Sequence, residues 1–407
     1  MGHLLLTGGT GLLGEYLIRD LLTRNVKLAL LVRASRKASA HKRVEAILCR
    51  WEEECGIVLP RPVVLEGDLT EEQLGLDAND LRWIAHNCDG ALHNAASLTF
   101  QAAGPDDEPW RSNLRGTEHV LEVCRSTGIR KLHHVSTAYV CGLRMGRILE
   151  SELEAGQTHG NDYEVSKFRA ELLVRNADFL DQPTIYRPSI ILGDSQTGYT
   201  STFYGFYAPL KLMSTMLGKA AGVASTREEL ITHIGFASHQ LTQILNLTGR
   251  ERKNYVPVDW VSAVMSQIIT RPQHHGKTYH LAPNEPVNLE LPRRVMEQAF
   301  EKYTELAERK THSATEWSEF ERYFIEGMKV YQSYWRDDPI FDTTNTQAAA
   351  GHLPCPALDA DLFMRVCQFA IESKFGRKPL RSIKAPTAHM LRALHTATET
   401  TSTANAH

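Results

Sequence analysis

Thr7-Gly8-Gly9-Thr10-Gly11-Leu12-Leu13-Gly14 lies almost at the start of the chain. Ahead of it, His3 to Thr7 reads as a short buried strand. Behind it, Leu13, Leu17 and Leu21 recur at helical spacing. A glycine turn between strand and helix lets backbone N–H groups approach a pyrophosphate, which then sits at the helix N-terminus. Gly9, Gly11 and Gly14 satisfy G-x-G-x-x-G, while Gly8, Gly11 and Gly14 satisfy the tighter G-x-x-G-x-x-G. Glycines also mark ordinary turns, so the flanking strand and helix carry the argument. Thr7, Gly8, Thr10, Gly11, Leu12 and Gly14 are the predicted dinucleotide contacts.

Working outward, Val26 to Val32 is a second apolar strand that ends in Arg33. An Asp or Glu there would hold a ribose 2′-hydroxyl. This chain instead offers Arg33, Arg36 and Lys37, with Arg43 a few residues on, and cations suit a 2′-phosphate. A solvated basic loop is the competing reading; NADP(H) is favoured. Residues 40 to 55 look helical, and Pro62 to Glu66 gives a third strand ending in Gly67-Asp68-Leu69. Asp68 can accept from an adenine amino group, with a helix N-cap as competitor. Gly90 to His93 is a fourth strand, followed by Asn94-Ala95-Ala96, small residues that let a cofactor pass close. Asn113 to Arg125 reads as the next helix, and Lys131 to Val135 as a fifth strand running into Ser136-Thr137-Ala138-Tyr139. Strands alternating with helices at this spacing predict an α/β fold, a Rossmann-type doubly wound parallel sheet. Its ligand crevice lies at the carboxyl ends of the strands, where each of these motifs sits.

Tyr163-Glu164-Val165-Ser166-Lys167 follows the fifth strand, with Asn161 and Asp162 as candidate N-caps of a helix running to about Asn176. Tyr163 and Lys167 stand at i and i+4 and leave one face a turn apart. An ammonium beside a phenol stabilises phenolate, so the tyrosine pKa is expected to fall from about 10. Such a tyrosine exchanges a proton with a carbonyl oxygen.

The set Thr7-Gly8-x-x-Gly11-x-x-Gly14, Asn94-Ala95-Ala96, Ser136-Thr137 and Tyr163-x-x-x-Lys167 resembles the extended short-chain dehydrogenase/reductases. Leu31-Val32-Arg33-Ala34, Gly67-Asp68-Leu69, Val135 to Tyr139, Arg187-Pro188-Ser189-Ile190 and Gly193-Asp194-Ser195-x-Thr197-Gly198 narrow the likeness to the male-sterility or thioester-reductase branch. That branch includes fatty acyl reductases and the terminal domains of carboxylic acid reductases and peptide synthetases. The likeness is close over residues 1 to about 200, fainter at Val256-Pro257-Val258-Asp259, and fades beyond about 285. It implies hydride transfer from NADPH, with Tyr163 as proton donor and Lys167 as its pKa partner and ribose contact. It makes Thr137 the hydroxyl that binds the substrate carbonyl, with Ser136 as fallback, and lays Pro188 and Ile190 against the nicotinamide. Reduction of an acyl thioester to an aldehyde or alcohol is the activity implied. The alternatives are an NADP-dependent ketone/alcohol dehydrogenase and a catalytically silent NADP-binding scaffold.

At 407 residues the chain has room for unequal lobes. The expected division is 1–192 for the dinucleotide domain and 193–376 for a smaller, mainly helical substrate lobe, with segments near 255–282 returning to the sheet. Residues 377–407, rich in Thr and Ala, read as a flexible tail. Thr200 to Leu217 is apolar, aromatic and Met-rich, suited to walling an acyl pocket or to packing between lobes, but too interrupted to span a membrane. Arg227 to Gly249 reads as helical, Tyr255 to Asp259 and Lys277 to Leu281 as strands. Residues 290 to 335 read as helices, with Trp317, Phe320, Phe324, Met328 and Tyr331 forming a core stripe. A formal net charge of −3 argues against nucleic acid as a partner. The expected partner is a small-molecule or carrier-bound acyl substrate, and a homodimer is allowed. Seven cysteines without C-x-x-C spacing suggest free thiols in a reducing compartment. With a strand at the very N-terminus no signal peptide is expected, and a cytoplasmic location follows. His133-His134 and His274-His275 lack metal-ligand spacing and are expected to be structural or solvated; no metal is anticipated.

Overall fold

The computed structural model describes residues 2–220, 226–244, 246–303 and 334–377. Its centre is a sheet of seven strands: β1 (His3–Thr7), β2 (Leu28–Val32), β3 (Val63–Glu66), β4 (Cys88–His93), β5 (Leu132–Val135), β7 (Thr184–Pro188) and β11 (Thr278–Leu281). Their spatial order is β11-β7-β5-β4-β1-β2-β3, with β6 (Arg147–Ile148) outside the sheet. Every pairing within the sheet is parallel. β2 is Leu-Ala-Leu-Leu-Val, buried throughout, the pattern of a strand covered by helices on both faces. It begins two residues later than its apolar run, because Asn25 takes a positive φ and the Val26 N–H returns to Leu21 O. Those residues close helix α1 (Leu12–Thr23) instead of opening a strand. Chain order reverses at β1 between β2 and β4, which places a crevice over their carboxyl ends.

α2 (Ala40–Cys55) matches its predicted span, and Gly56 at φ 67° ends it in a left-handed cap. The helix expected over 113–125 differs. After α3 (Ala78–Asn87), a π-turn at Arg111–Arg115 precedes α4 (Gly116–Thr127). Asn113 there is buried; its amide donates to Ser97 O at 3.1 Å and to Ser166 Oγ at 2.9 Å, while its Oδ1 accepts from Ser97 N at 2.8 Å. Side-chain bonds to two other segments hold this turn, and helical periodicity carries no trace of them. α5 (Asp162–Arg175) starts as predicted: Asn161 Oδ1 accepts from Glu164 N at 2.9 Å, and Glu164 Oε2 accepts from Gly160 N at 2.8 Å. Asp162 is not the cap; its carboxylate accepts from Ala102 N instead.

Of the two returning segments, β11 joins the central sheet beside β7. The other does not. β10 (Tyr255–Pro257) pairs in parallel with β8 (Ile190–Leu192) in a separate two-stranded sheet. Ser189 N is the last to bond towards β11, at Leu281 O, and Ile190 N already bonds to Asn254 O. The strand thus leaves the main sheet at Ser189, taking β10 with it, and Asp259 falls in the first turn of α8 (Val258–Ile269).

Beyond residue 200 a second core forms from α6 (Tyr207–Ala220), α7 (Arg227–Ile244), α9 (Glu290–Tyr303) and a helix at Ala360–Glu372. Phe206, Met213, Met296, Phe300 and Phe363 are buried together in it. The Gly193–Gly198 motif fastens this core to the sheet. Asp194 accepts from Tyr16 OH of α1 at 3.0 Å, Ser195 Oγ donates to Asp259 Oδ2 at 2.6 Å, and Arg365 Nε donates to Ser195 O at 2.8 Å. The stripe from Trp317 to Tyr331 and the tail from 378 lie outside the described residues. No helix among the described residues is long and apolar enough to cross a membrane. His133 and His134 are buried within β5, with His133 Nδ1 3.0 Å from Tyr186 OH, so they belong to the core.

Candidate active site

The glycine loop is built by close approach. Gly8 holds φ +70°, and a Cβ there would lie 2.6 Å from Ala95 N. A Cβ on Gly14 would lie 2.1 Å from Gly8 O, so α1 can pack beneath the loop only without one. Gly11 differs: its Cβ would meet nothing nearer than Gly8 O at 3.5 Å. The outer face is therefore open, and no side chain caps the first turn of α1. This is the cradle a pyrophosphate requires, and the residues present fit a dinucleotide. Thr7 Oγ1 accepts from Asn94 N and Ala95 N, each at 3.2 Å, and pairs with His93 Nδ1 at 2.8 Å. It thus staples the ends of β1 and β4. Asn94 Nδ2 donates to Gly8 O at 3.1 Å.

At the end of β2, Arg43 reaches back from α2 to Thr10 Oγ1 at 2.8 Å and to the Arg33 carbonyl. Arg33, its side chain 70% exposed, lies 3.3 Å from Asp68 Oδ2. Asp68 Oδ1 accepts from Thr70 N at 3.0 Å and Thr70 Oγ1 at 2.9 Å. Burial opposes ionisation of Asp68, but Thr70 and Arg33 outweigh it and hold the carboxyl below its ordinary value.

Thr137 and Tyr163 lie together on the cavity wall, and Thr137 Oγ1 donates to Pro188 O at 3.5 Å. Burial pushes the Tyr163 phenol up to about 12, with the nearby Thr137 hydroxyl opposing. The expected lowering by Lys167 is absent from the protein alone. Lys167 Nζ instead donates to Val135 O at 2.7 Å, and burial brings its pKa down to about 8 while Glu171 opposes. Burial therefore leaves Tyr163 a protonated acid at neutral pH. Ser136 faces otherwise: its hydroxyl donates to Glu171 Oε2 at 2.6 Å. Glu171 also receives Arg187 at 2.7 Å in a fully buried pair. Burial would raise its carboxyl, but Arg187 above all brings it to about 2. The hydroxyl beside Tyr163 is Thr137.

A cavity of about 610 Å³ joins these groups. Every residue predicted for catalysis or cofactor contact lines it except Gly14: Thr7, Gly8, Thr10, Gly11 and Leu12 of the loop, Arg33, Arg43, Asp68, Leu69, Asn94, Ala95, Ala96, Ser136, Thr137, Tyr163, Lys167, Pro188 and Ile190. Gly14 lies under the loop, while Arg36 and Lys37 are not on the wall.

Residues 6–265 match the male sterility protein family. The chain belongs to that family. As a male-sterility-family protein it is an NAD(P)-dependent oxidoreductase of the extended short-chain dehydrogenase/reductase type. The terminal R domain from the myxalamid PKS-NRPS biosynthetic pathway superposes with a TM-score of 0.69 at 25% identity, covering 93% of each chain. Aldehyde reductase lnaA of Aspergillus flavus is 27% identical over 90% of this chain and 36% of its own length. The non-canonical nonribosomal peptide synthetase FrzA of a Cladobotryum species is 25% identical over 92% of this chain and 36% of its own. The chain thus spans little more than a third of the length of these curated relatives.

The fold also brings to the cavity wall residues that local patterns missed: Phe100, Tyr139, Lys253, Tyr334 and Trp335. Phe100 lies 5.6 Å from the Tyr163 ring and 5.2 Å from that of Tyr334, which is 5.4 Å from Tyr139. Tyr139 stood within the quoted Ser136–Tyr139 motif and could have been found there; the others come from distant segments. On Thr200 to Leu217, one set of residues serves both readings. Phe206, Tyr207 and Met213 line the cavity and belong to the second core.

Proposed function

We propose that the chain reduces an acyl thioester to an aldehyde with NADPH. The observation that carries this is the placing of Thr137 beside Tyr163 on one cavity wall, between the glycine loop and an apolar chamber walled by Phe206, Met213 and Met296. NADPH, when bound, supplies the hydride. The glycine loop would hold its pyrophosphate, Arg33 and Arg43 its 2′-phosphate, Asp68 and Leu69 its adenine, Lys167 its ribose, and Pro188 with Ile190 its nicotinamide. Asn94 to Ala96 would back the cofactor. Thr137 and Tyr163 would receive the substrate carbonyl oxygen, and Tyr163 Oη, held protonated by burial, would give that oxygen its proton. The resulting hemithioacetal releases a thiol and an aldehyde, whose further reduction gives an alcohol. Several similar proteins support a carboxyl-derived substrate: one is an aldehyde reductase, one the large subunit of L-2-aminoadipate reductase, and one a terminal R domain of a peptide and polyketide pathway.

Anaerobic NADPH oxidation against acyl-CoAs, acyl-carrier proteins, aldehydes and ketones tests this reading. Thioesters should lead the panel. A bulky cyclic ketone outperforming every thioester would establish the alcohol-dehydrogenase alternative.

A further inference from the structure

Lys253 ends a short strand, β9 (Arg252–Lys253), and lines the cavity although its side chain is only 3% exposed. Its Nζ donates to Asp338 Oδ1 at 2.9 Å. The other oxygen of Asp338 accepts from Tyr139 OH at 2.7 Å and from Asn254 N at 2.9 Å. The Tyr139 N–H in turn donates to Thr137 Oγ1 at 3.3 Å. One carboxylate therefore ties the ammonium to the turn that presents the hydroxyl beside Tyr163. An ammonium has three donors. Among the described residues, Asp338 takes one of them. Trp335, also on the wall, has a buried indole Nε1–H with no hydrogen-bond partner among the described residues. Both unspent groups donate and neither can accept, so the complementary ligand group is an oxygen acceptor.

We propose that Lys253, held by Asp338 and assisted by Trp335 Nε1, binds an oxygen of the acyl chain close to the thioester carbonyl, selecting oxygen-bearing acyl thioesters over saturated ones. The inference rests on the thioester reading above. A C3 keto, hydroxyl or amide-type oxygen has the required chemistry. A saturated chain would leave the ammonium and the indole N–H facing methylenes, which costs affinity through unmet donors. The amide oxygens of a pantetheine arm share this chemistry, and the test separates them because both ligands carry the same arm.

Calorimetric titration of the whole chain with 3-hydroxyoctanoyl-CoA and octanoyl-CoA, in the presence of NADP⁺, provides the test. The hydroxylated ligand should bind roughly tenfold tighter, the size of one hydrogen bond to a charged group. Removing Lys253 alone would strand a buried carboxylate. The variant of choice is therefore Lys253→Met combined with Asp338→Asn, which should bring the affinity ratio close to one. Trp335→Phe keeps the ring, deletes only the donor, and should lower the ratio several-fold even if the double variant fails to fold. Equal affinities in the unmodified chain, or a ratio unmoved by Trp335→Phe and the double variant, would overturn the proposal. The thioester reading fails separately: both ligands would bind with the predicted ratio, yet neither would oxidise NADPH.

Discussion

At the scale of single residues, the proposed site separates cofactor choice, assigned to Arg33 and Arg43, from proton transfer, assigned to Tyr163 and Lys167. Arg33 and Arg43 both line the cavity at the end of β2, the place proposed for a 2′-phosphate. A charge-assisted bond to phosphate is worth roughly 1.5–3 kcal/mol, but Arg33 is 70% exposed and already faces Asp68, so the low end applies. Arg33→Ala should cut the preference for NADPH over NADH roughly tenfold, read by cofactor titration; equal affinities for the two in the unmodified chain would contradict it. Tyr163→Phe removes the acid while keeping the ring, and kcat should fall by roughly 10²–10⁴ with NADPH binding retained. Lys167, with its pKa at about 8, is charged below that pH and neutral above it. Tyr163 at about 12 stays protonated throughout. The rate of reduction should therefore fall as pH rises through about 8, and an activity flat to pH 10 would remove Lys167 from the mechanism. Spacing, a place after the fifth strand and the family likeness together pointed to Tyr163 and Lys167. Spacing could not reveal that Lys167 spends its ammonium on Val135 O, because that partner lies at the end of β5 and not on the helix.

Among the elements, those with their own period were legible and those defined by a partner were not. β1, α2 and α5 lie where apolar repeats and caps put them. The placement of Tyr255–Pro257 was not legible, because a strand's sheet is set by which neighbour offers its edge, here β8 after Ser189. The glycine loop combines both kinds of information. Its spacing announced a cofactor site, yet its glycines do different work. Gly14→Ala would drive a Cβ to 2.1 Å from Gly8 O and push α1 off the loop. Gly11→Ala meets nothing closer than 3.5 Å and, on the proposed reading, projects towards the cofactor. Gly14→Ala should lower Tm and abolish NADPH binding together. Gly11→Ala should lose binding with Tm nearly unchanged. Thermal melts beside NADPH fluorescence titrations distinguish them, and matching losses of Tm would refute the division.

Across the whole molecule, the sheet core buries histidines and the second core encloses the far wall of the cavity. Burial lowers His93 and His133 to about 3 and His280 to about 4, and holds His134 well below its ordinary value. An unfolded chain binds these protons near pH 6.5, so stability is complete above that pH and falls as pH drops towards about 4. Each histidine contributes up to about 1.4 kcal/mol per pH unit across that window. Tm should therefore drop steeply between pH 7 and 5, and equal Tm values would show the histidines to be solvated. The cavity poses the question that sequence could frame but not answer, since Phe206 proves inseparable from the core it helps form. It is 3% exposed and packs its ring against Tyr207, Tyr255 and Phe363. A charge at that position would unfold the lobe before it reported on substrate. Met296 on α9 is the better probe, because it lines the cavity and its flexible side chain can be exchanged for bulk. A buried CH₂ is worth about 0.8 kcal/mol, so kcat/KM for acyl thioesters should climb several-fold with each methylene until the chamber is full, then level off. Met296→Trp takes up that space at an overpacking cost of about 1–3 kcal/mol. It should move the plateau to shorter chains while leaving the rate with acetyl thioester and the affinity for NADPH close to normal. A plateau that stays at the same chain length would place the acyl group elsewhere and free the α6–α9 wall of any part in substrate binding.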